Sequence, residues 1–442
     1  MKTSRWKRIY LVIAVLAIIL VAGGYQLPQY ASRLTVIAAL ALIDMLYWMP
    51  VQRDFGRHKS ILSIVYWLPL TLLLLFFITG YFIPYQNWHP FLRIYFPGVL
   101  LIVLIGKGIF LSCMLLGEII FFLPNLYHRF TNSKTSRRKN WKHPPVFMNL
   151  GAIISGIVMM VFISGMFFWV NGLKMNTVKI PVKNLPEAFE DYRIVQVSDL
   201  HLGSFLNEKP LKRIVELTNS LHPDALLFTG DLVNFTTGEA LPFEKLMKRF
   251  SAKDGKFAIL GNHDYGEYSQ WNSPAEKHQN DSALFDFYKR TGWRLLRNEN
   301  VIIRRDSASM AIIGVENWSI IKRFGKKGNL KRAISGAESS QFKILMSHDP
   351  THWAGEVTHK FPGINLTLSG HTHAFQIAIE TGTFKWSPAS MLFDQWGGLY
   401  EQINEAGTKQ FLYVNRGAGT LGYPGRIGTW PEVTLILLHR VD

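Results

Sequence analysis

The chain has 442 residues, 48% of them hydrophobic, and a mean hydropathy of +0.10, which is high for a wholly soluble protein. Its formal charge of +17 is uneven: residues 1–170 hold 16 Lys and Arg against 3 Asp and Glu, a net of +13, which leaves +4 for the remainder. Basic residues concentrated in the apolar part of a chain are a membrane-topology signal and not a nucleic-acid footprint, so no nucleic-acid partner is expected.

Five apolar stretches, residues 9–25, 34–49, 61–84, 97–123 and 147–170, approach or exceed the roughly 20 residues that cross about 30 Å of hydrocarbon as helix. They predict a transmembrane domain of five spans over residues 1–170. The first follows a basic stretch and ends in "AGGY", so a signal peptide is its alternative, although no clean small-x-small cleavage site is present. The second is short and contains Asp44. Basic residues alternate between the ends of these spans. Lys2, Arg5, Lys7 and Arg8 precede the first; the loops then carry Arg33; Arg53, Arg57 and Lys59; Arg93; and finally six basic residues from Arg129 to Lys142. This pattern predicts a cytoplasmic N-terminus and a C-terminal region outside the cytoplasm, in a cell (inner) membrane. Omitting the second span would put the loop with six basic residues on the outer face. Within the spans, Asp44, Lys107 and Glu118 are costly unless paired or facing a cavity, and read as bundle packing. Lys107 and Glu118 are about three turns apart, too far for a direct pair. The lone Cys113 can form no intrachain disulfide and says nothing about compartment.

After residue 170 the texture changes. Residues 171–189 read as a linker, and residues 190–442 alternate short β-branched runs with helical or loop segments, predicting an α/β layered domain. Five runs end in potential metal ligands: Asp199 with His201, Asp231, Asn262 with His263 and Asp264, His348, and His371 with His373. Carboxylates, imidazoles and an amide oxygen without a thiolate suit divalent Mn, Fe or Zn. A Gly beside each group permits the tight turn that aims the next side chain at a cleft.

The ordered set "SDLH", "TGDLV", "LGNHD", "SHDP" and "SGHTH" resembles the calcineurin-like metallophosphoesterase superfamily, and within it the bacterial membrane-associated YkuE- and YaeI-like branch. The resemblance runs over roughly residues 190–442, including "VNRGAGTLGYPGR" and "PEVTLILL", and does not reach the apolar region. It implies an α/β sandwich of two mixed sheets flanked by helices, following the α-helical bundle. It also implies two divalent ions, one held by Asp199, His201, Asp231 and His373, the other by Asp231, Asn262, His348 and His371, with Asp231 bridging. His263 would face the substrate phosphate, Asp264 would orient it and favour its charged form, and a metal-activated hydroxide would attack phosphorus. Arg416 and Arg426 stand in Gly-rich loops, where either contacts a substrate phosphate or is a solvated turn residue. His222, His278, His352 and His359 read as ordinary surface or loop histidines. The segment "FKWSPASMLFDQWGGLY", residues 384–400, fits either contact with the bilayer or an acyl chain, or core packing.

The implied activity is that of a membrane-anchored, metal-dependent phosphoric ester hydrolase acting on phosphate mono- or diesters, lipid-linked ones included. Two alternatives stand beside it. One is hydrolysis of a UDP-2,3-diacylglucosamine-type pyrophosphate, a cytoplasmic reaction that the outward topology disfavours. The other is a membrane sensor that binds metal without turnover, which would not need His263 and Asp264.

Overall fold

The computed structural model describes Leu11, Val15 and residues 31–54, 59–130, 145–404 and 407–441. The chain divides into two compact units, Met1–Ile83 with Val99–Val161, and Pro84–Gly98 with Phe162–Asp442. Three helices are long and apolar enough to cross a membrane: Ser63–Phe82, Pro90–Ile120 and Val146–Asn171. They correspond to the third, fourth and fifth predicted spans. The first predicted span lies outside the described residues apart from Leu11 and Val15. The second falls in helix α1 (Ala31–Asp54), whose apolar part, Leu34–Met45, is shorter than a bilayer crossing requires. The five-span expectation is thus corrected to three candidate spans among the described residues.

In the first unit, α1 meets α2 (Lys59–Phe82) and α3 (Pro90–Phe130) around one polar knot. The Lys107 ammonium donates to the Asp44 carboxylate at 2.5 Å and to the Tyr66 carbonyl at 2.7 Å, and lies 4.3 Å from the Tyr66 ring centroid. The Tyr66 hydroxyl closes the knot by donating to the Asp44 carbonyl at 2.7 Å. Two of the three ionisable residues in the apolar region therefore neutralise each other, as buried charge demands.

The second unit is a sandwich. Strands β1 (Lys174–Lys183), β14 (Glu432–Val441), β2 (Arg193–Val197), β3 (Ala225–Phe228), β4 (Gly255–Ala258) and β5 (Arg294–Leu295) form one sheet in that spatial order. Strands β12 (Gly398–Ile403), β13 (Lys409–Val414), β9 (Leu366–Ser369), β8 (Phe342–Met346), β7 (Ala308–Gly314) and β6 (Glu299–Arg305) form the other. Each sheet mixes parallel and antiparallel pairs, such as β2 with β3 and β14 with β2 in the first. Ile194, Leu227, Phe257, Ile312, Ile344 and Leu366 fill the layer between the sheets. On the outer face of the first sheet, Val195, Val197 and Phe228 pack with Leu211 and Ile214 of helix α5 (Lys209–Ser220). Both faces of β2, β3, β8 and β9 are covered, which is why these runs read as continuous apolar sequence without alternation.

One element differs from the expected linker. Residues 174–183 form β1, parallel to β14 in a ten-residue register. Val178, Ile180 and Val182 turn inward, and Pro181 is tolerated because β1 is an edge strand.

Removing one member of a buried ion pair strands the other charge, at a cost of about 3–5 kcal/mol. Asp44→Leu should therefore markedly lower the thermal midpoint of the full chain in detergent, and Asp44→Leu with Lys107→Met should recover most of the loss. Equal midpoints for the wild type and the single variant would show that the pair contributes nothing.

Candidate metal centre

The ligand candidates all stand just beyond the C-terminal ends of central strands: Asp199 after β2, Asp231 after β3, Asn262 and His263 after β4, His348 after β8, His371 and His373 after β9. Open α/β sheets bind ligands at that edge. Because β2 and β3 belong to one sheet and β8 and β9 to the other, the centre lies where the two sheets' carboxyl ends meet.

The backbone is bent to deliver these side chains. Asp199, His201, Asp231, His371 and His373 all have left-handed φ angles, between 44° and 70°. Asp and His tolerate that region better than most residues, yet such conformations persist only where the surroundings impose them, and they cluster at functional sites. Close packing of the turns does the imposing. The Asp199 amide donates to the Gly230 carbonyl at 2.9 Å, and the His201 amide to the Asp231 carbonyl at 3.1 Å. A Cβ on Gly261 would collide with the Asp231 carboxylate, and one on Gly417 (φ +77°) would sit 2.9 Å from both Asp199 Cβ and His373 Nδ1.

The side chains gather in two groups of atoms, each mutually within 4.8 Å: Asp199, His201 and His373, and Asp231, His348 and His371. In the first, His201 Nε2 lies 3.1 Å from His373 Nε2, and the latter 3.2 Å from an Asp199 oxygen. In the second, His371 Nδ1 lies 3.2 Å from His348 Nε2, which is 3.2 Å from Asp231 Oδ2. Asp231 Oδ2 also lies 3.5 Å from His201 Nε2, so this carboxylate faces both groups.

Atoms bound to one ion at about 2.0–2.2 Å with tetrahedral or octahedral angles lie about 3.0–3.5 Å apart, which is the spacing found in both groups. The Asn262 amide oxygen is buried with no hydrogen-bond partner, an orphan that a cation would satisfy. The donor set fits divalent metal.

Burial and close opposite charge set the electrostatics of both groups. Burial disfavours the ionised form of Asp231, but His348, His263 and His201 around it hold its carboxyl well below the usual range. Burial likewise works against charge on His348, yet Asp231 and Asp199 raise it to about 10. His201 is pushed down to about 3 by burial, which keeps its ring neutral and available as a ligand.

Asp264 departs from its expected role. Its carboxylate does not touch His263. It accepts four backbone N–H groups: Asp231 and Gly261 at 2.9 Å, Leu232 at 2.8 Å and Val233 at 3.3 Å. It thus ties the β3 turn to the β4 turn and fixes Asp231. Burial and the neighbouring Asp231 charge push its pKa up to about 7, opposed by those N–H groups. His263 is positioned by other means. Its Nδ1 lies 2.8 Å from the Asn234 carbonyl, and its ring lies 4.3 Å from that of Tyr268. Burial lowers its pKa, contrary to the expected charged form.

The remaining candidates separate clearly. Arg426 is fully buried, and its guanidinium donates to the carbonyls of Arg416, Gly417, Gly419 and Trp430. It shapes the loop that carries Gly417 past His373. Arg416 pairs with Glu380 at 2.5 Å and Glu432 at 3.3 Å. His222, His278 and His359 are exposed, but His352 is not the expected loop residue. It is buried, stacks on Trp318 at 4.5 Å, and bonds Ser347 Oγ at 2.8 Å and Glu356 at 3.2 Å. Sequence reasoning also missed Asp349, buried with an oxygen 3.4 Å from His371 Nε2; its place directly after His348 was the available signal.

A further residue acts on the site from a distance in sequence. Arg93 Nη1 pairs with Glu239 at 3.1 Å, and Glu239 accepts the amides of Asn234 at 2.7 Å and Phe235 at 3.1 Å. Asn234 is the residue whose carbonyl holds His263, so the ion pair braces the loop on which His263 leans.

Residues 192–375, which contain all seven ligand candidates, match the calcineurin-like phosphoesterase family. Among similar proteins, a Danio rerio transmembrane protein with metallophosphoesterase domain is 28% identical over 273 residues, 60% of this chain and 57% of that one. The uncharacterized metallophosphoesterase YkuE of Bacillus subtilis is 29% identical, covering 58% of this chain and 82% of its own. The UDP-2,3-diacylglucosamine pyrophosphatase LpxG of Chlamydia muridarum is 28% identical, covering 57% and 87%. This chain thus spans a little over half the length of the first of these relatives.

Asp264→Asn puts an NH2 group in front of N–H donors, exchanging at least one buried hydrogen bond for a clash. A loss of about 2–4 kcal/mol in stability is expected, together with reduced metal content in the purified chain. Unchanged metal content by elemental analysis would show that Asp231 is fixed by something else.

Proposed function

We propose that this chain, which belongs to the calcineurin-like phosphoesterase family, is a membrane-anchored hydrolase of phosphate mono- or diesters that works with two divalent ions. The observation that carries the reading is the pair of nitrogen contacts, 3.1 Å between His201 and His373 and 3.2 Å between His348 and His371, each beside a buried carboxylate. Asp199, His201 and His373 would hold one ion, His348, His371 and Asn262 the other, and Asp231, which faces both groups, would bridge them. When bound, such ions clamp the phosphoryl oxygens and acidify a water for in-line attack.

His263 handles the proton. With Nδ1–H donated to the Asn234 carbonyl, Nε2 carries the lone pair. An approaching phosphate anion favours protonation there, and the Nε2 proton then stabilises charge on phosphorus or passes to the leaving oxygen. Asp264 serves this chemistry indirectly, by fixing Asp231 and the turn beneath His263.

The alternation of basic residues supports a catalytic domain outside the cytoplasm. A second reading, hydrolysis of a lipid-linked nucleoside pyrophosphate, is favoured by the name of the Chlamydia muridarum relative. A metal-binding sensor without turnover finds less support, because His263 stands beside the ligand groups, its ring 5.0 Å from that of His201.

The test uses the full chain in lipid nanodiscs with p-nitrophenyl phosphate and bis(p-nitrophenyl) phosphate. Turnover should vanish with chelator and return with Mn, and His263→Ala should lower kcat by about 10²–10⁴-fold with metal content retained. A chain that binds two ions and turns over neither ester nor a nucleoside pyrophosphate would move the assignment to the sensor.

A further inference from the structure

We propose that the β-hairpin of β10 (Ile379–Thr381) and β11 (Phe384–Trp386), with the turn that follows it, is a lipid-docking element that holds the metal-ligand cluster against a bilayer surface.

The hairpin is amphipathic by construction. Ile379 pairs with Trp386, Glu380 with Lys385 and Thr381 with Phe384. Opposite partners and alternate positions share a face, so Ile379, Thr381, Phe384 and Trp386 lie on one side and Glu380 and Lys385 on the other. The polar side is anchored to the sandwich, Glu380 pairing with Arg416 at 2.5 Å. The apolar side is not covered: Phe384 is 58% exposed, and in the turn beyond it Met391 is 81% and Leu392 59% exposed. The segment that admitted either surface contact or core packing divides between the two, since Ala389, Phe393 and Trp396 are buried. Large apolar side chains exposed together in one short segment of a folded domain mark an interaction site.

What covers it is argued from its root. Ala378 donates to the Ile427 carbonyl at 2.9 Å, and Ile377 bridges Ile427. The neighbouring Arg426 amide donates to the carbonyl of Gly165, and the Tyr423 hydroxyl to that of Phe162, both in the last turns of helix α4 (Pro145–Phe167). That helix belongs to the candidate span Val146–Asn171. At its end Phe168 and Trp169 pack on Trp430, an aromatic group of the kind that sits at headgroup level. The hairpin root therefore pairs with the same loop that meets the end of a candidate membrane helix, and Trp386 beside Lys385 repeats the interfacial pairing of aromatic and basic residues.

At its other side the hairpin is tied to the cluster. His373, Ala374, Phe375 and Gln376 all have positive φ, between 46° and 60°. Left-handed backbone costs roughly 1–2 kcal/mol per residue for side chains such as Phe. This turn leads from a metal ligand to the hairpin root in four residues, and the Ser387 hydroxyl fixes it by donating to the Ala374 carbonyl at 2.7 Å.

The test needs no turnover, so it stands apart from the hydrolase assignment. In the full chain carrying Cys113→Ser, either Phe384→Cys or Lys385→Cys is labelled with an environment-sensitive fluorophore and reconstituted into phosphatidylcholine–phosphatidylglycerol vesicles. Both sites are exposed and outside the ligand groups, and bound metal reports folding. The probe at Phe384→Cys should shift to the blue and be quenched by doxyl-labelled lipid severalfold more than the probe at Lys385→Cys. Equal quenching at the two positions, or a Phe384→Cys probe that remains in water, overturns the proposal. So does a blue shift without quenching by lipid, which would assign the face to a protein such as a second copy of this chain.

Discussion

Two buried carboxylates, Asp199 and Asp231, lie beside four imidazoles at the carboxyl ends of β2, β3, β8 and β9, and the rest of the second unit is arranged around that fact. Anions so close and so dry cannot coexist without positive charge between them. A cation held between them is the economical source of that charge, and the neighbouring histidine and asparagine side chains are the groups that could hold one. The left-handed ligand residues and the glycine contacts at Gly261 and Gly417 are the backbone cost of bringing the donors to within 3.1–3.5 Å of one another.

Fixing that geometry falls to groups that never meet an ion. Asp264 gathers four N–H donors from two turns; Arg426 gathers carbonyls from the loop against His373; the Arg93–Glu239 pair steadies the loop whose Asn234 carbonyl orients His263. A ligand set on strand ends is only as precise as the turns beneath it, so these contacts decide whether the donors converge. Arg93 lies in the first turn of the candidate span Pro90–Ile120, in the stretch Pro84–Gly98 that belongs to the second unit.

What was legible in the sequence was local. A buried strand ending in Gly and a polar side chain is contiguous, so β2, β3, β4, β8 and β9 and the seven ligand candidates at their ends could be read directly. Pairings between distant positions could not. Lys107 finds Asp44 on another helix, 63 positions away. Asp264 sits beside His263 in sequence, yet its carboxylate points away from the ring to the four amides, so adjacency misassigned its role. His352 looks like a loop histidine until Trp318 and Ser347 enclose it. Strand β1 was visible in principle, since Val178, Ile180 and Val182 alternate, but the surrounding lysines and prolines gave it the texture of a linker.

Folding and cation binding form one equilibrium in such a centre. Strain of order 1–3 kcal/mol at each left-handed ligand residue, added to the repulsion between Asp199 and Asp231, weighs against the native turns, and the interaction of these groups with cations weighs for them. The turns do not yield to the strain because they are clamped from behind. Asp264 and Arg426 are satisfied by backbone groups whether or not a cation is present, so the strain is held in the ligand residues themselves. A donor set kept converged in this way gives up little conformational entropy when a cation binds, which favours affinity.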